Sequence, residues 1–409
     1  MTAPARSFNP FHTLQRHPNF RRFWFGQTAS LIGTWMHSVA AGWLALELSN
    51  DPFIVGVVSA AGTLPVLLFS LPGGLVADRF ERLRVVQIAQ LALFVEAVLM
   101  FWLAWSGRMT VSGLIALSLL NGTLAAFEIP ARQSLIVELV GKEDLLDAIA
   151  LNSGGFNLAR IAGPSIAALV IAQLGIAWCF GLDALSYGFV LWGLSLIRVP
   201  PREAHAIHSG GSAEGIGEVL RYVRETRLMW ILVRVVAVFS ILGIPVLTLL
   251  PVLARDRLGL DASGYGLLMT CVGVGAMGGA LVMAAARSRI ARGPWLATSS
   301  IVLPLFLIGV ALARVELVAA LLLVGVGAAM IINNAIINGR LQEIVPERLR
   351  GRVLAVYVTV YIGLTPVGSF LAGWGARHVG PGWAIGASAT ALLAFAVWCF
   401  RRYPELMAD

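Results

Sequence analysis

Gly73-Gly-Leu-Val-Ala-Asp78-Arg79-Phe-Glu-Arg82-Leu-Arg84 ends one apolar run, residues 53–77, and leads into the next, 85–105. About 20 mostly apolar residues cross a bilayer as a helix, so this charged segment is the loop between two membrane spans. Reading outward gives twelve such runs: 23–47, 53–77, 85–105, 111–130, 148–172, 176–197, 228–253, 263–285, 294–313, 317–338, 353–375 and 383–401. Composition agrees. The 409 residues are 58% hydrophobic and 13% charged, with a mean hydropathy of +0.82, whereas soluble domains carry about twice that share of charge. An ordinary soluble protein, a disordered chain, a collagen and a disulfide scaffold are all excluded. Cys179, Cys271 and Cys399 each sit in an apolar run, far apart and without metal-ligand or redox spacing. The first run is too long for a signal-peptide core and is expected to remain in the mature chain. The fold class is therefore an all-α membrane protein of twelve transmembrane helices.

Basic residues set its orientation. Of the 30, 23 lie in the N-terminus, the even-to-odd loops and the C-terminus, and five on the other side: Arg108, Arg255, Arg257, Arg314 and Arg377. Arg160 and Arg234 fall inside spans. Such a bias places both termini in the cytoplasm. The net charge of +8 is then a topology signal, and nucleic acid is not an expected partner.

The longest polar interval, Arg198 to Arg227, divides the spans six and six. Residues 1–197 form one expected half and 228–409 the other, with 198–227 as a cytoplasmic linker. Arg198-Val-Pro-Pro-Arg202 and His208-Ser-Gly-Gly-Ser212 read as flexible chain. Gly217 to Glu225 reads as a surface helix, with Val219, Leu220 and Val223 on one face. The halves also match weakly. Asp51-Pro-Phe-Ile-Val-Gly56 recurs as Asp261-Ala-Ser-Gly-Tyr-Gly266, and Arg132-Gln-Ser-Leu-Ile-Val137 as Arg340-Leu-Gln-Glu-Ile-Val345. The near-equal offsets indicate a parallel duplication, the plan of many secondary transporters.

In the Gly73–Arg84 loop, glycines allow close helix approach, Asp78 can cap or pair with another helix end, and the arginines anchor the turn. This Gly-x-x-x-Asp-Arg grouping resembles the loop signature of the major facilitator superfamily. Glu81 stands at the usual second glycine and Leu83 at a usual basic position. The Asp-Arg-aromatic-Glu-Arg variant is similar to that of the siderophore-exporter branch typified by the enterobactin exporter. Span 5 carries Gly155, Ala159, Gly163, Pro164, Ala167 and Ala168, a stripe of small residues with a helix-bending proline. It resembles the superfamily's antiporter signature, with alanines at three usual glycines. Pro130-Ala-Arg-Gln-Ser134, Ala150-Leu-Asn-Ser153, Asn157-Leu-Ala-Arg-Ile-Ala-Gly-Pro164 and Leu349-Arg-Gly-Arg-Val353 resemble the subgroup called transmembrane secretion effectors. The resemblance implies a bacterial inner-membrane exporter. Gly74, Asp78, Arg79 and Arg82, with Gly155, Gly163 and Pro164, are its candidate gating residues. Many proton-coupled relatives carry an arginine four residues before the position of Asn121 in span 4. This chain has Leu117 there, and Arg160 is a possible substitute.

Ionisable residues at membrane depth are costly and are functional candidates by default. At 1.5 Å per residue, Glu96, Arg160, Asp183 and His37 lie about 16, 18, 21 and 21 Å from the cytoplasmic face. The second half has no acid at that depth; its spans hold Arg234 and the amides Asn333, Asn334 and Asn338. One expectation pairs Arg160 with either Glu96 or Asp183 and leaves the other acid to carry the proton; the alternative is a structural ion pair. His37 is either a core histidine or a proton relay, and Glu128 is a structural partner for Arg132, four residues on. Gln27, Ser30, Thr34 and Ser38, with His37, make one polar face of span 1. The superfamily resemblance places spans 1, 4, 7 and 10 around a cavity, so these residues and Asn333 and Asn334 are candidate substrate contacts. Tyr357 and Tyr361 either stack on a ligand or sit in the core.

Walker-type hydrolysis is excluded, because Val140-Gly-Lys-Glu143 has no phosphate loop around the single lysine. Neither a His-Glu-x-x-His nor a Gly-x-Ser-x-Gly motif occurs, so no enzyme is expected, and no cofactor or metal. The expectation is a monomeric secondary transporter in the lipid bilayer, exporting small amphipathic siderophore-like or drug-like molecules in exchange for protons. A lysolipid or metabolite transporter without proton antiport is the alternative.

Overall fold

The computed structural model describes residues 10–141, 143–197, 213–285 and 291–407. Arg6, Lys142, Arg287, Arg289 and the proposed flexible chain from Arg198 to Ser212 lie outside the described residues, as do the side chains of Val219, Leu220, Arg348 and Arg350. Among the described residues there is no strand. Eleven helical segments are long and apolar enough to cross a membrane. In chain order these are Pro52–Arg79, Arg82–Trp105, Val111–Val140, Leu145–Leu174, Ala177–Ser195, Arg227–Leu258, Ala262–Ala285, Arg292–Leu312, Glu316–Ile344, Arg352–Val379 and Pro381–Arg402, spans 2 to 12. Span 1 is Pro18–Ser49, equally long but diluted by its polar face.

Several helices outrun their apolar cores. Span 4 continues from the expected end near residue 130 to Val140. Hydropathy reports lipid contact, whereas a helix persists wherever its backbone bonds close, so the extra turns project beyond the apolar layer. The caps are local chemistry. Asp51 accepts from the Phe53 amide at 2.9 Å at the head of span 2, and Asp261 from the Gly264 amide at 2.9 Å at the head of span 8. The duplicated aspartates thus do the same work. The Ser263 hydroxyl and the Gly264 amide hold the Asp261 carboxyl below the usual carboxylate range. The surface helix starts earlier than expected, at Ala213, and runs to Glu225; Val223 is buried and Arg352 meets Glu218 at 3.4 Å.

Two spans are discontinuous, which hydropathy did not reveal. Span 7 passes from helix Arg227–Leu242 through a 3-10 segment, Ile244–Leu249, into Leu250–Leu258. Span 11 is Glu347–Gly363 followed by Thr365–Val379. Pro245, Pro251 and Pro366 each remove a backbone donor near these joints. The Ser240 and Thr365 hydroxyls donate to the carbonyl of Tyr361, which satisfies a polar group at the break. Span 5 stays one helix through Pro164.

Packing divides the molecule by depth. One core cluster draws on both halves, joining Leu44, Val58 and Phe180 to Leu250, Leu268 and Ala376. Toward the face that carries the termini, the core separates into a first-half cluster around Phe20, Leu135 and Leu194 and a second-half cluster around Leu232, Leu341 and Phe400. The cross-half polar contacts follow the same rule. Ser59 bonds Thr248 at 3.2 Å, Ser165 bonds Thr270 at 3.1 Å, Arg377 meets Asp51 at 3.5 Å and Arg255 approaches the Leu46 carbonyl at 3.5 Å. All four lie in the part of the bundle away from the termini. Close glycine contacts join them: a Cβ on Gly56 would meet the Ser369 carbonyl at 2.5 Å, and one on Gly266 would meet Ala168 at 2.9 Å. Among the described residues the core cluster that draws on both halves lies away from the termini, and the two clusters on the terminal side each draw on one half.

Candidate functional site

Span 1 meets span 6 where Gly33 lets the helices touch. A Cβ there would lie 2.5 Å from Asp183 Oδ1 and 2.6 Å from Ser186 Oγ. One turn on, His37 Nδ1 is 3.0 Å from Asp183 Oδ2, and the Phe180 ring packs edge-on to the imidazole at 4.9 Å. Asp183 is fully buried, and its Oδ1 has no hydrogen-bond partner among the described residues. Glu96, on span 3, is also buried; its Oε2 accepts from Asn121 Nδ2 at 3.1 Å, and its Oε1 is unpartnered. Tyr187 lies beside Thr34 and within electrostatic range of Asp183 and Glu96. His37 and Glu96 also interact through space. The first half therefore encloses a small group of titratable side chains with two free carboxylate oxygens.

Nearer the terminal face, Glu128 accepts from Gln90 Nε2 at 3.2 Å and pairs with Arg132 at 2.9 Å. This is the expected intrahelical pair, with a second helix tied to it.

Arg160 is elsewhere. It forms no ion pair or side-chain hydrogen bond among the described residues, so the expected pairing with Glu96 or Asp183 is corrected: Asp183 takes His37 and Glu96 takes Asn121. Sequence gives depth but not rotation: on span 5 the Arg160 side chain lies by Trp35 of span 1 and its backbone abuts span 8. A Cβ on Gly273 of span 8 would meet the Arg160 carbonyl at 2.7 Å. The guanidinium carbon is 5.9 Å from the Trp35 ring centroid, and Tyr361 across the cleft is its electrostatic neighbour.

The substrate candidates divide. Thr34 and Ser38 are exposed, whereas Gln27 and Ser30 are buried against the first half. Asn333 is occupied, donating to Ser300 at 2.7 Å and Ser299 at 3.3 Å. Asn334 is half-buried and bonds Tyr361. Tyr357 and Tyr361 stack at 6.0 Å with their planes 17° apart. Together with Phe239, Asn333 and Asn334 they line one small pocket between spans 7, 10 and 11.

Of the gating candidates, Gly155 and Gly163 seat span 5 on span 1; Cβ atoms there would lie 2.8 Å from Thr28 Oγ1 and 2.4 Å from Trp35 Cβ. Pro164 is buried beside them. Gly74 has open space around it, and the tight contact belongs to Gly73, facing the Ala126 carbonyl of span 4. Asp78 is mostly exposed and only 3.9 Å from Arg82 of its own loop, while Arg82 reaches span 4 at Glu138, 2.8 Å away. Arg79 is exposed. Sequence reasoning passed over Trp35, Asn121, Gln90 and Tyr187. Asn121 and Gln90 carried a signal, since amides inside apolar spans need partners.

An all-helical bundle of membrane-spanning segments that encloses buried polar side chains has the architecture of the major facilitator fold. The profile of the family described as transmembrane secretion effectors matches residues 6–408, and the chain belongs to that family. It is a multi-pass membrane transporter and not an enzyme. It is 29% identical over 364 residues to the multidrug efflux pump Tap of Mycolicibacterium fortuitum, covering 85% of this chain and 87% of that one. With the staphyloferrin A transporter of Staphylococcus aureus it shares 27% identity over 157 residues, 38% of this chain and 40% of the other. Among solved structures, the nucleoside transporter NupG superposes with a TM-score of 0.74 at 13% identity, over 94% of this chain and 99% of NupG.

Proposed function

We propose that this transporter exports small amphipathic organic molecules, of siderophore-like or drug-like character, from the cytoplasm by alternating access driven by proton antiport. The observation that carries the reading is the division of packing by depth: a shared core at one end and two separate cores at the other. Two such bodies can rock about the mid-depth contacts and expose the cleft to each side in turn. The excess of arginine on the terminal face supports a cleft that now opens to the cytoplasm. Siderophore and drug cargoes are carried over from the names of relatives, a staphyloferrin A transporter and a multidrug efflux pump.

In this reading His37, Asp183 and Glu96 carry the proton. Asp183 exchanges it with the imidazole 3.0 Å away, and Glu96 holds a second position on span 3. Asn121 orients Glu96, and Phe180 orients His37. Loading protons from outside and releasing them inside would alternate with cargo moving the other way. The test is cargo flux in proteoliposomes under an imposed pH gradient. Flux should follow the gradient in wild type and lose that dependence in Asp183→Asn or Glu96→Gln. Flux indifferent to the gradient in wild type contradicts antiport.

A further inference from the structure

We infer that Arg160, beside the Trp35 ring and within electrostatic range of Tyr361 and its stacked partner Tyr357, is a docking subsite for the anionic group of an aromatic cargo. The inference rests on the transport reading and names the chemistry its cleft selects. Arg160 has five donors and a permanent charge, and at mid-membrane depth such a charge requires a counter-charge or acceptors. Among the described residues none makes an ion pair or side-chain hydrogen bond with it. Asp183 is engaged by His37, Glu96 by Asn121 and Glu128 by Arg132, and Arg160 forms no ion pair or side-chain hydrogen bond among the described residues.

Its surroundings are those of a recognition site. The guanidinium stands 5.9 Å from the Trp35 ring centroid, which fixes its plane. Tyr361, on span 11, is within electrostatic range of it. Behind Tyr361, Tyr357 is 4% exposed and its hydroxyl is buried without a partner among the described residues, a donor available to a ligand that enters. Arg160 is half-buried and its backbone abuts Gly273 of span 8, so residues of both halves meet at this position. A planar anion such as a carboxylate takes two parallel bonds from a guanidinium, and a ring attached to it lies against the aromatic walls. Because spans 5 and 11 belong to different halves, such a cargo would bridge them.

The test is equilibrium binding to the purified full chain in detergent, with 1-naphthoate and its neutral analogue 1-naphthamide as probes. Binding needs no pH gradient, so failure of antiport and failure of this site are separable. Wild type should prefer the naphthoate by about tenfold, the worth of a charged hydrogen bond. Arg160→Gln should abolish the preference for the naphthoate over the naphthamide. Arg160→Lys, which keeps the charge but not the fork, should retain part of it. A wild type that does not discriminate between the probes overturns the proposal. So does an Arg160→Gln protein that still discriminates; if that variant does not fold, an Arg160→Lys protein with the full wild-type preference overturns it equally.

Discussion

The two halves share a plan and differ in what they bury. At mid-depth the first half holds His37, Glu96 and Asp183, and its spans 1 and 5 run as single helices. The counterparts of those spans in the second half, spans 7 and 11, are each broken near the middle. At similar depth that half holds uncharged groups, Asn333 with Ser299 and Ser300, and Ser240 with Thr365. Charge and continuity go together, and so do neutrality and jointing. A buried titratable group is costly to misplace, which favours a stiff frame around it. Hydroxyls tolerate a break because they can satisfy whichever carbonyl it frees.

This contrast can be broken by substitution. The largest effect is expected at Asp183. The asparagine amide can still bond His37 but has no charge and no titratable proton, and a charge-assisted bond is worth about 1.5–3 kcal/mol, so gradient-driven flux in Asp183→Asn should fall about tenfold to a hundredfold. Asn333→Ala should reduce flux by about twofold or less; a comparable loss there would erase the division between halves. Next comes packing. Gly163→Ala, which forces a Cβ to within 2.4 Å of Trp35 Cβ, should cost about 1–3 kcal/mol of stability. Gly74→Ala, in open space, should gain about 0.5–1 kcal/mol; denaturation midpoints in detergent read both.

Effects of about 1 kcal/mol each are expected at the paired caps, for Asp51→Ala and Asp261→Ala. Asp51 also contacts Arg377 of the other half, so its variant should additionally loosen the fastened end. Asp261 has a lowered carboxyl value. Its contribution is therefore complete above the ordinary carboxylate range and is lost as the pH falls through the lowered value. Melting temperature against pH should show this acid-side loss in wild type and lack it in Asp261→Asn.

The spans were legible in the residues because hydropathy acts along the chain. Asp51 and Asp261 were matched by sequence, and both cap a helix. What sequence withheld was rotation and breakage. Arg160 shares its depth with the acids but lies by the Trp35 ring instead, a difference of angle about the span 5 axis that no count of residues supplies. Gly73 and Gly74 differ likewise by a single helical step, and only the first meets span 4. The joints in spans 7 and 11 lie within apolar stretches, where hydropathy is blind to a missing backbone donor.

The central claim is that the halves move about contacts that must open on the face away from the termini. It is tested most directly by cargo flux in proteoliposomes containing a cysteine-free background with Asp51→Cys and Arg377→Cys, joined by a short cleavable cross-linker. The account predicts that flux stops when the two positions are linked and recovers when the linker is cut. Flux undiminished in the linked protein would contradict it.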